Sequence, residues 1–420
     1  MARIFSLVAL VSLSLASLAW AATPGEWPQW RGPNRDGVST ETGLLKSWSE
    51  EGPKLAWKAS GLGGGFASVA IANGKIYTMG NRKKDQYLIA LDLDGGKELW
   101  ATKVCSGDRE GSRSTPTVDG SLVFTIGSQG DLLAADAEKG TELWRKSFAN
   151  DFGGKMMSGW GYCESPLIDG DRLICTPGAK DAAMVALDKK TGEVIWKCGI
   201  PEMGKSGKDG AGYSSIMVAE VGGIKQYVQL IGRGVIGVSA KDGTFLWGYN
   251  RIANGTANIP TPIVRGEYVF CSTGYGTGAA LLKLTPDAGG IKAEEVYFKE
   301  AKELQNHHGG MVLVGDYLYG GHGHNNGFPI CMDFKTGKIA WSQGRGPGTG
   351  SAAVAYADGN LYFRYENGLM ALIGASPEGY ELHGSFKIPD AKNPSWPHPV
   401  IAGGKLYLRE QDALLCYDLK

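Results

Sequence analysis

Residues 165–196 read SPLIDGDRLICTPGAKDAAMVALDKKTGEVIW, four short apolar runs separated by turns. Asp169-Gly170 divides the first two runs, Pro177-Gly178 opens the loop before the third, and Thr191-Gly192 divides the last two. Asp-Gly and Thr-Gly between apolar runs predict hairpins, because glycine takes the positive φ that a tight turn demands. A single sheet this small cannot bury both faces, so it can fold only against copies of itself. The copies are present. YLIALDLDGGKELW ends at Trp100, LLAADAEKGTELW at Trp144, VIGVSAKDGTFLW at Trp247 and PICMDFKTGKIAW at Trp341. Residues 262–297 keep the first hairpin and lack the Thr-Gly, and Asp358-Gly359 opens a further unit. The last unit, from Pro399, stops one strand short, and Lys54-Leu55-Ala56-Trp57 at the other end can supply that strand. Four-stranded units of about 40–50 residues predict an all-β fold, an eight-bladed β-propeller of antiparallel blades whose N-terminal strand closes the last blade.

The flanks set the expected organisation. Residues 1–21 carry Arg3, an apolar stretch and Ala19-Trp20-Ala21, the pattern of a cleaved secretory signal. No cysteine follows that site, so no lipid anchor is expected there, and no later stretch approaches the roughly 18–20 apolar residues of a membrane span. The expected division is a signal at 1–21, an arm at 22–53 and a propeller at 54–420, a monomer in the periplasm or secreted. Lys and Arg number 43, as do Asp and Glu, and the zero net charge argues against nucleic acid or an anionic membrane as partner. Of seven cysteines, Cys331 and Cys416 fall where other units place alanine and read as small core residues. The sequence leaves the pairing of the others open. The arm's WPQWRGPNRDG reads as a cover laid over the propeller, with Trp27 and Trp30 filling grooves and Arg31 and Arg35 hydrogen-bonded.

The pattern Ala186-Leu187-Asp188, Thr191-Gly192, Trp196 resembles the repeats of the pyrroloquinoline-quinone (PQQ)-type β-propeller superfamily over nearly the whole mature chain. The opening WPQWRGPNRDGVS is similar to exported bacterial propellers of that superfamily. The resemblance implies that the tryptophans dock between blades and that the repeated Asp residues cap turns, so that Asp92, Asp136, Asp188, Asp333 and Asp418 belong to the scaffold. It also implies two functions. Quinoprotein dehydrogenases hold PQQ beside a calcium ion bound by Glu, Asn and Asp, many with a vicinal Cys-Cys pair. The propeller lipoprotein of outer-membrane assembly is a scaffold without cofactor. Here there is no Cys-Cys, Glu164 alone matches the Glu, and Ser272-Thr273-Gly274-Tyr275 puts Tyr where the Asn would stand.

Alternating strands put the Asp-Gly and Thr-Gly turns on one plain face and the longer loops on the other, where propellers bind ligands. On that loop face the histidines are unevenly spread: His307 and His308 precede one blade's first strand, His322 and His324 follow its second, and His398 lies two blades on. Imidazoles in this number offer a divalent metal site. A second set, Trp160, Tyr162, Tyr213, Tyr275 and Trp396 with Arg109, Arg113, Arg233, Arg251 and Arg345, suits a sugar, a polyanionic glycan or a planar quinone-like ligand. From these come the cofactor-binding candidates Glu164, Trp160, Tyr162, Arg233, Tyr275 and Arg345. The expected function is a scaffold binding a small molecule, a glycan or a protein at its channel mouth. The alternatives are a PQQ- or metal-dependent oxidoreductase of alcohols or sugars and a polysaccharide-binding or -cleaving propeller.

Overall fold

The computed structural model describes residues 25–288, 290–391 and 394–420; the signal predicted at 1–21 lies outside the described residues. The strands form eight separate sheets, each an antiparallel meander of four strands, one carrying an added fifth. Blades one to four begin with the inner strands Ala70–Ala72, Thr117–Asp119, Leu167–Asp169 and Met217–Val221. Blades five to eight begin with Ile263–Arg265, Met311–Val314, Ala352–Ala357 and Val400–Ala402. The outer strand of blade eight is Leu55–Ser60, which pairs antiparallel with Ala413–Asp418 and closes the ring as expected. A short helix, Phe148–Phe152, between blades two and three was not legible in the repeat.

The core confirms why one blade cannot stand alone. Among the described residues there are nine apolar clusters, and eight of them are each built from two neighbouring blades. Phe124 and Leu132 of blade two meet Leu173 and Val185 of blade three. Ile76 and Ile89 of blade one meet Tyr407 and Leu414 of blade eight across the closure. Burying such faces, at about 25 cal/mol per Å2, is the largest favourable contribution to folding. Cys331 and Cys416 are fully buried in these clusters, and all seven cysteines are free.

The repeated Asp and Trp do the structural jobs expected of them, except that Asp418, at the end of the last strand, pairs with Lys405 instead of capping a turn. Asp188 Oδ1 accepts from the backbone N–H groups of Lys190 and Thr191, and Asp136 Oδ1 accepts from those of Glu138 and Lys139. The Trp144 indole N–H donates to Lys189 O of the next blade at 3.1 Å.

The arm's Trp27 is buried and its Arg31 and Arg35 are hydrogen-bonded as expected, but its course differs. Instead of lying over the propeller, it runs up into the central channel and back down. Glu26 and Glu41 accept hydrogen bonds from the tight turns of blades one and eight, on the plain face. Between them, Trp27 pairs through its backbone with Ile71 of blade one, and Pro28 O accepts from Val118 N of blade two. Arg35 donates to Ser165 O at 2.8 Å and Pro166 O at 3.2 Å, leading into blade three. Arg31 donates to Met311 O of blade six at 2.5 Å, and Val38–Ser39 runs parallel beside Tyr356 and Ala357 of blade seven. The turn at the tip is tight enough to hold Arg31 and Arg35 at φ of 60° and 58°, a region that L-residues rarely adopt. The arm is a plug that closes the channel.

Candidate functional site

Because the plug fills the channel from the plain face, the loop face carries a blind cup of about 300 Å3. Trp30 and Arg31 at the plug's tip form its floor. Phe66 and Trp396 form one wall, 4.6 Å apart between ring centroids, and Trp396 stands 4.5 Å from His308. Trp160 and Tyr213, 6.0 Å apart, form another, with Tyr275 and His307 completing the collar. Nearly every wall residue comes from the loop leading into an inner strand, which is why side chains distant in sequence converge.

The polar groups of the cup are wired to one another. Tyr275 Oη lies 2.9 Å from His307 Nε2, and His307 Nδ1 lies 2.7 Å from Ser351 Oγ. Burial, with nearby His324, depresses the His307 pKa to about 3, and burial does the same for His398. His308 is pushed well below the usual range for the same reason. The imidazoles are therefore neutral at ordinary pH. Arg113 is held by Asp108 at 2.9 Å and Glu110 at 3.2 Å, so its charge is paired at the cup's edge.

The structure brings together some of the sequence candidates and separates others. Trp160, Tyr213, Tyr275, Trp396 and Arg113 line the cup, as do His307, His308 and His398. His324 stacks near His307 at 4.2 Å, its Nδ1 accepting from Tyr275 N, while His322 Nδ1 accepts from Gln305 N. Among the described residues no three His, Cys, Asp or Glu side chains converge as a metal sphere, so the five histidines do not form one ligand set here. Tyr162 turns away from the cup and donates its hydroxyl to Pro177 O. Arg233 pairs with Asp209, Arg251 with Glu295 and Glu300, and Arg345 is exposed, all outside the cup lining. Arg109 lines a neighbouring outer cavity.

Glu164 is 2% exposed, and its carboxylate accepts from Thr176 N, Thr176 Oγ1 and Gln229 Nε2 between blades three and four. Burial lifts its pKa to about 7 against the pull of those hydrogen bonds and of Arg35. With Glu164 consumed by its neighbours and the Tyr275 hydroxyl held by His307, the residues do not fit the Glu and Asn ligands of a PQQ–calcium centre. Sequence reasoning missed Trp30 and Arg31 as part of the site. The arm's density of Trp, Arg, Pro and Gly was the available signal.

Fold and site together define an eight-bladed propeller of the PQQ-repeat superfamily with a plugged channel and an aromatic cup. Residues 84–343 match the family described as "Outer membrane protein assembly factor BamB", and the chain belongs to that family. It is similar to the outer membrane protein assembly factor BamB of Burkholderia pseudomallei (strain K96243), 27% identical over 196 residues. That stretch spans 45% of this chain and 45% of that relative, less than half of each. Among solved structures, BamB from Moraxella catarrhalis superposes with a TM-score of 0.62 at 14% identity, covering 87% of this chain and 99% of that one. The quinohemoprotein alcohol dehydrogenase of Pseudomonas putida HK5 gives 0.63 at 14%, covering 94% and 80%. At such identities these likenesses establish the fold alone.

Proposed function

We propose that this protein is an exported binding scaffold of the cell envelope that captures its ligand on the loop face, in the cup above the plug. The observation that carries this reading is the blind cup itself. Its aromatic walls come from separate blades, and its polar side chains are fixed by mutual hydrogen bonds, which is the preorganisation that binding rewards. An envelope location is supported by the relative named as an outer membrane assembly factor and by the apolar N-terminal segment. No helix among the described residues is long and apolar enough to cross a membrane.

The test places a photo-reactive phenylalanine analogue at Trp160, in the cup wall, or at Thr191, in an exposed turn of the plain face. Adducts formed in the producing cells from Trp160 and not from Thr191 are the expected result. Adducts from Thr191 alone, or from neither, would overturn the reading. So would dye-linked alcohol oxidation by purified protein given PQQ and calcium.

A further inference from the structure

The cup does not end at its rim. A second cavity of about 420 Å3 adjoins it and shares Glu110, Arg113 and Trp160 as a common wall. Trp160 stands between the two at 38% exposure, the one aromatic among the exposed large apolar side chains of the described residues. Leaving an indole open to water sacrifices apolar burial, which is regained when a ligand covers it. The two cavities differ in character. The inner one is ringed by the faces of Trp30, Phe66, Trp160, Tyr213, Tyr275 and Trp396. Flat aromatic faces with polar tips suit a ligand that has both an apolar face and hydroxyl groups.

The outer cavity is polar. Arg113, clamped between Asp108 and Glu110, presents a flat, charge-paired fork to both spaces. Arg109 and Lys208 also line the outer cavity, and neither has a carboxylate partner among the described residues. Against Asp108 and Glu110, the outer lining thus has one positive charge in excess, carried on the exposed Arg109 and Lys208. Arg31 on the cup floor, in contrast, is buried and donates to Asp36 O and Met311 O.

We infer that the paired cavities bind a short acidic oligosaccharide, one pyranose ring stacked in the aromatic cup and a carboxylate- or sulfate-bearing neighbour in the outer cavity. The apolar face of the inner sugar lies against Trp396 and Tyr275. The glycosidic link crosses Trp160, and the acid group meets Arg109 and Lys208. This assignment rests on the loop-face reading above and adds the class of ligand.

The test titrates purified full-length protein with oligogalacturonate of four units, its neutral methyl ester and an oligoglutamate of matched charge. Tryptophan fluorescence and calorimetry report binding. The acidic sugar is expected to bind most tightly and to weaken with added salt, because opposite charges near a surface are screened. Trp160→Ala should weaken both sugars by about tenfold or more, the loss of one stacked ring. Arg109→Ala with Lys208→Ala should bring the acidic sugar down to the level of the ester and leave the ester unchanged. The inference is overturned by silence of both sugars at millimolar concentration in a protein that melts normally. Equal binding of oligoglutamate overturns it too, as does indifference to Trp160→Ala. If Trp160 still cross-links in cells while the sugars stay silent, the ligand class alone has failed; if both are silent, the binding face has failed as well.

Discussion

Gly192, in the last turn of blade three, lies directly against the indole of Trp144 in blade two: a Cβ on this glycine would stand 2.8 Å from Trp144 Cδ2 and Cε3. The relation repeats around the ring. Gly140 meets Trp100, Gly243 meets Trp196 and Gly96 meets Trp57 in the same way. The glycine of each such turn thus has two reasons to be there, its positive φ and its missing side chain.

Two alanine substitutions separate those reasons. Gly170→Ala puts a side chain at φ 61° in open space, so only the backbone strain is felt, about 1 kcal/mol. Gly192→Ala, at φ 73°, must also push Trp144 off its neighbour, for a total of about 2–4 kcal/mol. Urea denaturation of the two variants measures the difference. Equal losses would show that the indole moves aside freely.

Arg35 tests the plug. It is buried, held to Ser165 O and Pro166 O, and remains charged although burial lowers its pKa to about 10. Arg35→Met keeps much of the volume and leaves Ser165 O without its donor, while Pro166 O keeps the Thr117 hydroxyl. A loss of about 1–3 kcal/mol is expected, the cost of one buried polar group left unpaired. A variant as stable as the parent would mean that the plug is dispensable for folding.

Much of this architecture was legible because it is periodic. Thr191-Gly192 and Trp196 recur at fixed offsets, and a repeat that cannot hide its own faces dictates a ring. The cup was half legible. Trp160, Tyr275, Trp396 and the histidines could be placed on one face by topology, but their partners could not. The Tyr275–His307–Ser351 chain joins three different blades or their loops, and no spacing announces it. The plug was misjudged for the same reason: Trp30 meets Thr261 across 231 positions of sequence. Glu164 misled because a carboxylate in a loop looks available, whereas Thr176 and Gln229 already hold it.

Stability should depend on pH through two opposed sets of groups. Native Glu164 titrates at about 7 against 4.5 for the free side chain, so between those values the native state holds a proton that the unfolded chain has lost. Its contribution therefore falls as pH rises through that window. His307 and His398 titrate at about 3 against 6.5 and hold fewer protons in the native state, so their contribution falls as pH drops from about 6.5 towards 3. Glu164→Gln removes only the first effect. Relative to the parent, this variant should gain about 3 kcal/mol between pH 4.5 and 7.5 and level off above that. Denaturation midpoints across the range will show it, and a constant offset would mean that Glu164 is ionised throughout.

Closure of the ring gives the last prediction. The strand Ala413–Asp418 is the third of blade eight, and Leu55–Ser60 covers its outer edge through the pairs Leu55–Tyr417, Trp57–Cys416 and Ala59–Leu414. The same N-terminal stretch carries Trp27, which joins the apolar cluster between blades eight and one. A chain beginning at Gly61 keeps seven complete blades but exposes an unpaired strand edge and an open channel. Unpaired edges recruit other chains, so this form should aggregate. A peptide of residues 25–60, added in excess during refolding, should restore a soluble monomer, because it returns both the missing strand and the plug. A peptide of residues 54–60 should restore the edge alone and leave the protein markedly less stable. Sedimentation and thermal melting distinguish these outcomes. A stable, soluble monomer from the truncated chain by itself would show that closure contributes little to holding the ring together.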